Sequence, residues 1–219
     1  MMLNNLSKHL KDSTNTNEYN KIFLETISPL KKDWEIIFTD GSKTDTCTSF
    51  AVTNAEGVTI YAGILPRFTS IFTAEAAALL EAVIFASQKC SKHLICTDSK
   101  SSIEAILNPT NDTPMVTKIR NIISIHTSEI KIMWIPGHSG INGNEKTDKR
   151  AKEANKEPLH TFNYITCNDI KILAKELAAD NAATKWNIYQ HPYKNFNPFG
   201  EKISTLHLHY VTKQKPLLG

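Results

Sequence analysis

Apolar and polar positions change their period several times along the chain, and the changes mark out the elements. EIIFTDG (35–41), TCTSFAVTNAEG (46–57) and VTIYAGILP (58–66) are rich in β-branched and aromatic residues and are separated by KTD and NAEG. Such runs, punctuated by Asp, Asn and Gly, predict a three-stranded antiparallel meander. FTAEAAALLEAVIFASQKC (72–90) switches to a broad apolar or small helical face, with Thr73 placed to cap it and Glu75 in its first turn.

Beyond that helix short strands alternate with helices: LICTDS (94–99), SKSSIEAIL (99–107), PMVTKIRNIISIHTS (114–128) and IKIMWIP (130–136). Strand–helix alternation predicts parallel pairing onto the meander. GNEKTDKRAKEANKE (143–157) reads as a charged helix that Pro158 should stop. NDIKILAKELAADNAATKWNIY (168–189) reads as an amphipathic helix with Asn168 at its cap, and HPYKNFNPFG and HLHYV, a possible last strand, follow it.

The predicted organisation has three parts. Residues 1–32, polar and poor in aromatics, read as a linker with one short helix near Tyr19–Ile27 closed by Pro29. Residues 33–157 form the main domain, and 158–219 a helical extension and tail.

Composition narrows this picture only a little. The 219 residues carry 41% hydrophobic residues and a net charge of +3, so a sizeable core is expected and a polyanionic partner is neither required nor excluded. Cys47, Cys90, Cys96 and Cys167 form no C-x-x-C pair, which disfavours a thiolate metal site and fits reduced thiols. With no signal-like start and no membrane-length apolar run, an intracellular, soluble setting without membrane attachment is expected. Trp34, Trp134 and Trp186 read as packing anchors, and His207 and His209 as alternating strand residues without a metal.

Four acids fall at the ends of predicted elements: Asp40, Glu75, Asp98 and Asp148. Singly each has a plain explanation. Asp40-Gly41 fits a hairpin corner, Glu75 a helix-dipole partner, Asp98 a helix cap and Asp148 a solvated face. Jointly they suggest more, because groups at the carboxyl ends of neighbouring strands in an α/β sheet converge. Four carboxylates together repel, and oxygen-only ligands suit Mg²⁺ or Mn²⁺. Two such ions roughly 3.5–4 Å apart hydrolyse phosphodiesters without a nucleophilic side chain.

FTDGS (38–42), TAEAAALLEA (73–82), CTDSKS (96–101) and PGHSGINGNEKTDKRAKEA (136–154) together resemble type 1 ribonuclease H. The resemblance implies a five-stranded mixed sheet, three antiparallel strands then two parallel ones, flanked by helices. It implies endonucleolytic hydrolysis of the RNA strand of RNA/DNA hybrids with two Mg²⁺ ions, Mn²⁺ substituting. By matching motif, Asp40, Glu75, Asp98 and Asp148 would be the metal ligands and His138 would assist proton transfer or product departure.

On the same resemblance, Gly41, Ser42, Glu75 and Asn144 would read 2′-hydroxyls along the RNA. Glu145 reads as a helix N-terminal acid. Ile71-Phe72 stand where some relatives carry an amide pair for the DNA strand, leaving Thr69, Ser70 and Thr73 as substitutes. Lys43, Lys100, Lys146, Lys149 and Arg150 are the candidate phosphate contacts.

The flanks, with an N-D-I-K start and Trp186 in the late helix, are similar to the carboxyl region of non-LTR retrotransposon polyproteins. That implies a reverse transcriptase domain of the same polyprotein as partner. Two other readings stand beside the active enzyme: a retroelement remnant that binds nucleic acid or protein without cutting, and a nuclease of the same architecture that cuts DNA. The P-G-H-S-G loop disfavours the last.

Overall fold

The computed structural model describes residues 2–3, 16–126, 129–156 and 160–188. Its elements in chain order are β1 (Met2–Leu3), α1 (Thr16–Ile27), β2 (Trp34–Lys43), β3 (Thr48–Asn54), β4 (Thr59–Leu65), α2 (Ile71–Ser87) and β5 (Lys92–Thr97). There follow α3 (Lys100–Leu107), α4 (Pro114–Ile125), β6 (Ile130–Trp134), α5 (Asn142–Glu153) and α6 (Cys167–Ile188).

The meander β2–β3–β4 is antiparallel, β5 joins β2 in parallel, and β6 joins β5 in parallel. These five strands form the anticipated mixed sheet, in the order β6-β5-β2-β3-β4. The two residues of β1 add a short parallel pairing on the outer side of β6.

Strand β2 runs further than its sequence suggests. Asp40 faces Ala51 and Gly41 faces Phe50 in the β3 ladder, so Asp-Gly is mid-strand and not a hairpin corner. The chain reverses at Thr44–Cys47 instead, where the Thr44 amide donates to the Cys47 carbonyl at 2.8 Å. Hairpin propensity is a local signal, and the continuous β3 ladder outweighs it.

Helix α2 covers one face of the sheet and is buried almost all round, with Ala74, Ala76, Ala77, Ala78, Leu79, Leu80, Ala82 and Val83 within the larger core cluster. Small side chains let it lie close to the strands while α4, through Met115, Val116 and Ile119, packs outside it. Its cap is Ser70, whose hydroxyl accepts from the Thr73 amide, and not Thr73; Glu75 therefore lies past the first turn.

The opposite face is covered by α1 and α5. Tyr19, Phe23 and Ile27 of α1 are buried with Ile36, Phe38, Leu94 and Met133. The polar stretch expected as a linker thus contains a core-forming helix. Its apolar residues recur at i, i+4 and i+8, and that spacing turns one face to the sheet.

After α5, residues 160–169 return along the sheet edge. Ile64 bridges Thr161, and Phe162 and Tyr164 pack on the larger core. Thr166 opens α6: its hydroxyl accepts from the Asp169 amide and its own amide donates to Asp169 Oδ2, a reciprocal cap that displaces the expected Asn168. The chain divides by packing into residues 1–171 and 172–219. In the second unit the described side chains of α6 are mostly exposed. Pro158, HPYKNFNPFG and HLHYV lie outside the described residues. Among the described residues no helix is long and apolar enough to cross a membrane. All four cysteines are free, with Cys96 buried.

Candidate metal centre at the strand ends

The parallel register of β2 and β5 ends at Thr39 opposite Thr97. The next residues, Asp40 and Asp98, therefore emerge side by side, Asp40 still paired to β3 and Asp98 leaving the sheet. Ser99 and not Asp98 caps α3, its hydroxyl accepting from the Ser102 amide, so the plain capping role for Asp98 is gone. The Asp98 carbonyl accepts from the Trp134 indole at 3.2 Å, which ties the departing backbone to β6.

Two close approaches bring the helices in. A Cβ at Gly41 would stand 2.7 Å from the Glu75 amide nitrogen, so only glycine lets the start of α2 rest on β2 here. On the other face Gly143 lies where any side chain would overlap the Phe38 ring, and α5 is thereby seated on β2. Buried hydroxyls hold α5 in register: Thr147 and Thr53 share a 2.6 Å hydrogen bond, and Ser49 donates to the Ala151 carbonyl at 2.8 Å. Asp148 follows Thr147 directly.

Asp40, Glu75 and Asp98 can each offer an oxygen within 4.8 Å of the others. A second group, His138, Glu145 and Asp148, meets the same limit. The four sequence-selected carboxylates are thus divided three and one, with Asp148 hydrogen-bonded to Asp40 and so linking the groups. Glu145, read as a helix-end acid, also accepts from the Gly140 amide at 3.3 Å and stands within reach of His138.

Burial and mutual repulsion set the protonation. The Asp40 carboxyl is pushed up to about 8 by burial, then by the charges of Asp98 and Asp148 and its bond to Asp148; the Gly41 amide pulls the other way. Glu75 is raised well above the carboxylate range by burial, then by Asp40 and Asp98. Asp98 is raised by burial, although Asn144, whose Nδ2 donates to Asp98 Oδ2 at 3.2 Å, and His138 act to lower it.

The donor set fits a hard divalent cation. It is all oxygen within the first group, and among the described residues the buried Glu75 Oε2 has no hydrogen-bond partner, a cost that a bound cation removes. Asn144 Oδ1 is buried and unpartnered too. His138 is exposed and takes a left-handed backbone, φ 52°, on the 136–141 loop, where Ser139 donates to the Pro136 carbonyl.

The remaining predicted contacts are dispersed. Ser42 is mid-strand opposite Ser49. Lys100 opens α3 with its ammonium 3.8 Å from Glu104. Lys43 donates to the Arg67 and Thr69 carbonyls, and Lys146 to the Glu56 carbonyl. Thr69, Ser70 and Thr73 are engaged within the protein: Thr69 donates to the Pro66 carbonyl, and Ser70 and Thr73 bond to Asp169.

Sequence reasoning missed Lys152, whose ammonium lies 2.7 Å from Asp148 Oδ2. The i,i+4 spacing on α5 was its available signal.

Residues 32–156 match the family model described as RNase H. Solved structures with a similar arrangement include RNase H1 from the halophilic archaeon Halobacterium salinarum, 18% identical over 56% of this chain and 98% of that one, with a TM-score of 0.41. LC11-RNase H1, isolated from compost by a metagenomic approach, is 18% identical over 56% of this chain and 99% of that one, with a TM-score of 0.42. The foamy viral protease-reverse transcriptase in complex with RNA/DNA hybrid is 18% identical over 55% of this chain and 20% of that one, with a TM-score of 0.43. No curated protein matches the chain. The family model spans more than half of the sequence and contains every element that bears the four carboxylates, and the chain belongs to the RNase H family.

Proposed function

We propose that the chain cleaves the RNA strand of RNA/DNA hybrids endonucleolytically, with Asp40, Glu75, Asp98 and Asp148 holding two divalent cations, Mg²⁺ by preference and Mn²⁺ as substitute. The observation that carries this reading is the convergence of Asp40, Glu75 and Asp98 within 4.8 Å around the unpartnered Glu75 Oε2. Cations bound there would supply charge for activating a water and stabilising the leaving oxygen of a phosphodiester.

The protein's own groups do the rest. Asp40, protonated near neutral pH in the metal-free chain, releases its proton as the site fills. Asn144 orients Asp98 through Nδ2 and keeps Oδ1 as an acceptor, the chemistry a ribose 2′-hydroxyl needs. The backbone at Gly41 and Ser42 lies beside Asp40 and serves the same strand. His138, exposed within 4.8 Å of Asp148, holds or passes a proton on the solvent side. Lys100 contacts a phosphate from the start of α3.

The convergence of the carboxylates favours an active enzyme over an inactive binding module. In keeping with the flanking resemblance, the chain acts beside a reverse transcriptase domain of the non-LTR type.

The test is cleavage of labelled RNA/DNA hybrid, double-stranded RNA, double-stranded DNA and single-stranded RNA with Mg²⁺, Mn²⁺ or chelator. Hybrid-specific, metal-dependent cutting of the RNA strand is expected. Cutting of duplex DNA, or cutting that survives chelator, sinks the reading.

A further inference from the structure

We infer that Asp169 is a positioning residue for Glu75, acting from outside the stretch that the family model matches. The inference rests on Glu75 being a metal ligand.

Residues 160–169 form a strap that meets α2 on both sides of Glu75. The strap is fixed to the sheet edge by the Ile64 amide donating to the His160 carbonyl at 3.1 Å and the Phe162 amide donating to the Ile64 carbonyl at 2.8 Å. Phe162 packs edge-on against Phe50 and stacks on Tyr164. The Tyr164 hydroxyl donates to Glu81 Oε1, beyond Glu75 along the helix. Before Glu75, Asp169 Oδ1 accepts from the Ser70 amide at 2.7 Å and Oδ2 from the Thr73 hydroxyl at 2.6 Å.

Asp169 is fully buried. Capping α6 accounts for only part of its bonding, since Thr166 alone satisfies that role through its amide and hydroxyl, each 2.8 Å from Oδ2. The other two bonds go to the N-terminus of α2, where a carboxylate also meets the positive end of the helix dipole. Burial pushes the carboxyl up, but the bonds from Thr73, Thr166 and Ser70 outweigh it and hold Asp169 below the usual range.

The consequence for Glu75 is geometric. Thr73 lies two residues before it, and the Glu75 amide is pressed on Gly41 from the sheet side. A helix anchored at its start by Asp169, on its flank by Gly41 and further on by Tyr164 cannot slide along its axis. Among the described residues Glu75 Oε2 has no bond of its own, so the carboxylate is aimed by the helix together with its bonds to the Gly41 amide and Asp40. Partners that orient a ligand in this way affect metal affinity and turnover more than substrate binding.

The test uses the full 219-residue chain and measures Mn²⁺ affinity by calorimetry alongside kcat and KM on an RNA/DNA hybrid. Asp169→Asn is expected to lose about 10- to 100-fold in Mn²⁺ affinity and kcat with KM little changed. Thr73→Val shifts the same way by less, and Thr73→Ser restores wild-type values. In a Glu75→Gln background Asp169→Asn adds no further loss in Mn²⁺ affinity.

Wild-type Mn²⁺ affinity and kcat in Asp169→Asn overturn the inference, as do equal losses with and without Glu75. If Asp169→Asn does not fold, the Thr73→Val and Thr73→Ser pair decides by the same measures. A wild-type chain that binds no Mn²⁺ overturns the metal reading and this inference together. A wild-type chain that binds it while the variants are unaffected overturns only the inference.

Discussion

The Lys152 ammonium lies 2.7 Å from Asp148 Oδ2, one turn along α5, and occupies with its positive charge one of the oxygens proposed to bind a cation. Asp148 raises the Lys152 pKa, first through this hydrogen bond. Lysine and metal then compete for one carboxylate. Lys152→Met is expected to lower the Mg²⁺ concentration for half-maximal cleavage by about two- to fivefold, the size of a solvent-exposed ion pair. A titration of cleavage against Mg²⁺ reads this, and a higher requirement in the variant counts against the competition.

The carboxylate cluster makes the metal-free protein sensitive to pH in an unusual direction. The Asp40 carboxyl stands at about 8 folded against an ordinary value of 3.8, so between these values the folded state holds a proton that the unfolded chain has released. Stability from this group is complete below the lower value and is lost as pH rises through the upper one. Glu75 is shifted in the same sense. Asp169, held low, acts the other way only in strong acid. In chelator the melting temperature should therefore rise by several degrees from pH 8 to pH 5, and Mg²⁺ should stabilise most at pH 8. Thermal unfolding followed by circular dichroism tests this; a melting temperature that falls across that range speaks against it.

Asp98→Asn separates chemistry from structure. It removes one charge from a repelling cluster and leaves the backbone bond to Trp134 untouched. The metal-free chain is expected to be as stable as the wild type or more so, by up to about 1–2 kcal/mol, while hybrid cleavage falls below detection. Denaturant unfolding in chelator and a cleavage assay give both readouts. A clear loss of metal-free stability returns Asp98 to a structural role.

Gly41→Ala should damage fold and site at once. The added methyl group meets the Glu75 amide and the Ala74 backbone at 2.7–3.0 Å, so α2 must lift from β2. A loss of about 1–3 kcal/mol is expected from overpacking, and cleavage should fall further than that loss alone accounts for. Unchanged kcat in the folded variant disproves the close approach as a determinant of Glu75's place.

The site was readable to different depths. Asp40 and Asp98 could be paired from strand order, because parallel neighbours release their next residues at one edge. Asp-Gly itself misled: its hairpin propensity concerns four residues, whereas the ladder to β3 continues through Lys43. Helix α1 was visible as a helix, but its burial was not, since the polar residues around Tyr19, Phe23 and Ile27 mask the stripe in any average.

Residue pattern alone was enough to place most elements in order and to single out the four acids, because hydrophobic period and turn chemistry act over a few residues. Folding is what makes Asp148 bond to Asp40 yet group with His138 and Glu145, sets Lys152 against it, and lets Asp169 tie residues 166–169 to the start of α2. Asp148 with Asp40 and Asp169 with Thr73 join distant parts of the chain, the latter 96 positions apart, and no local pattern encodes them, whereas Lys152 stands one turn from Asp148. They follow from two glycines that let α2 and α5 reach the strands and from buried carboxylates that must find donors or cations once solvent is excluded.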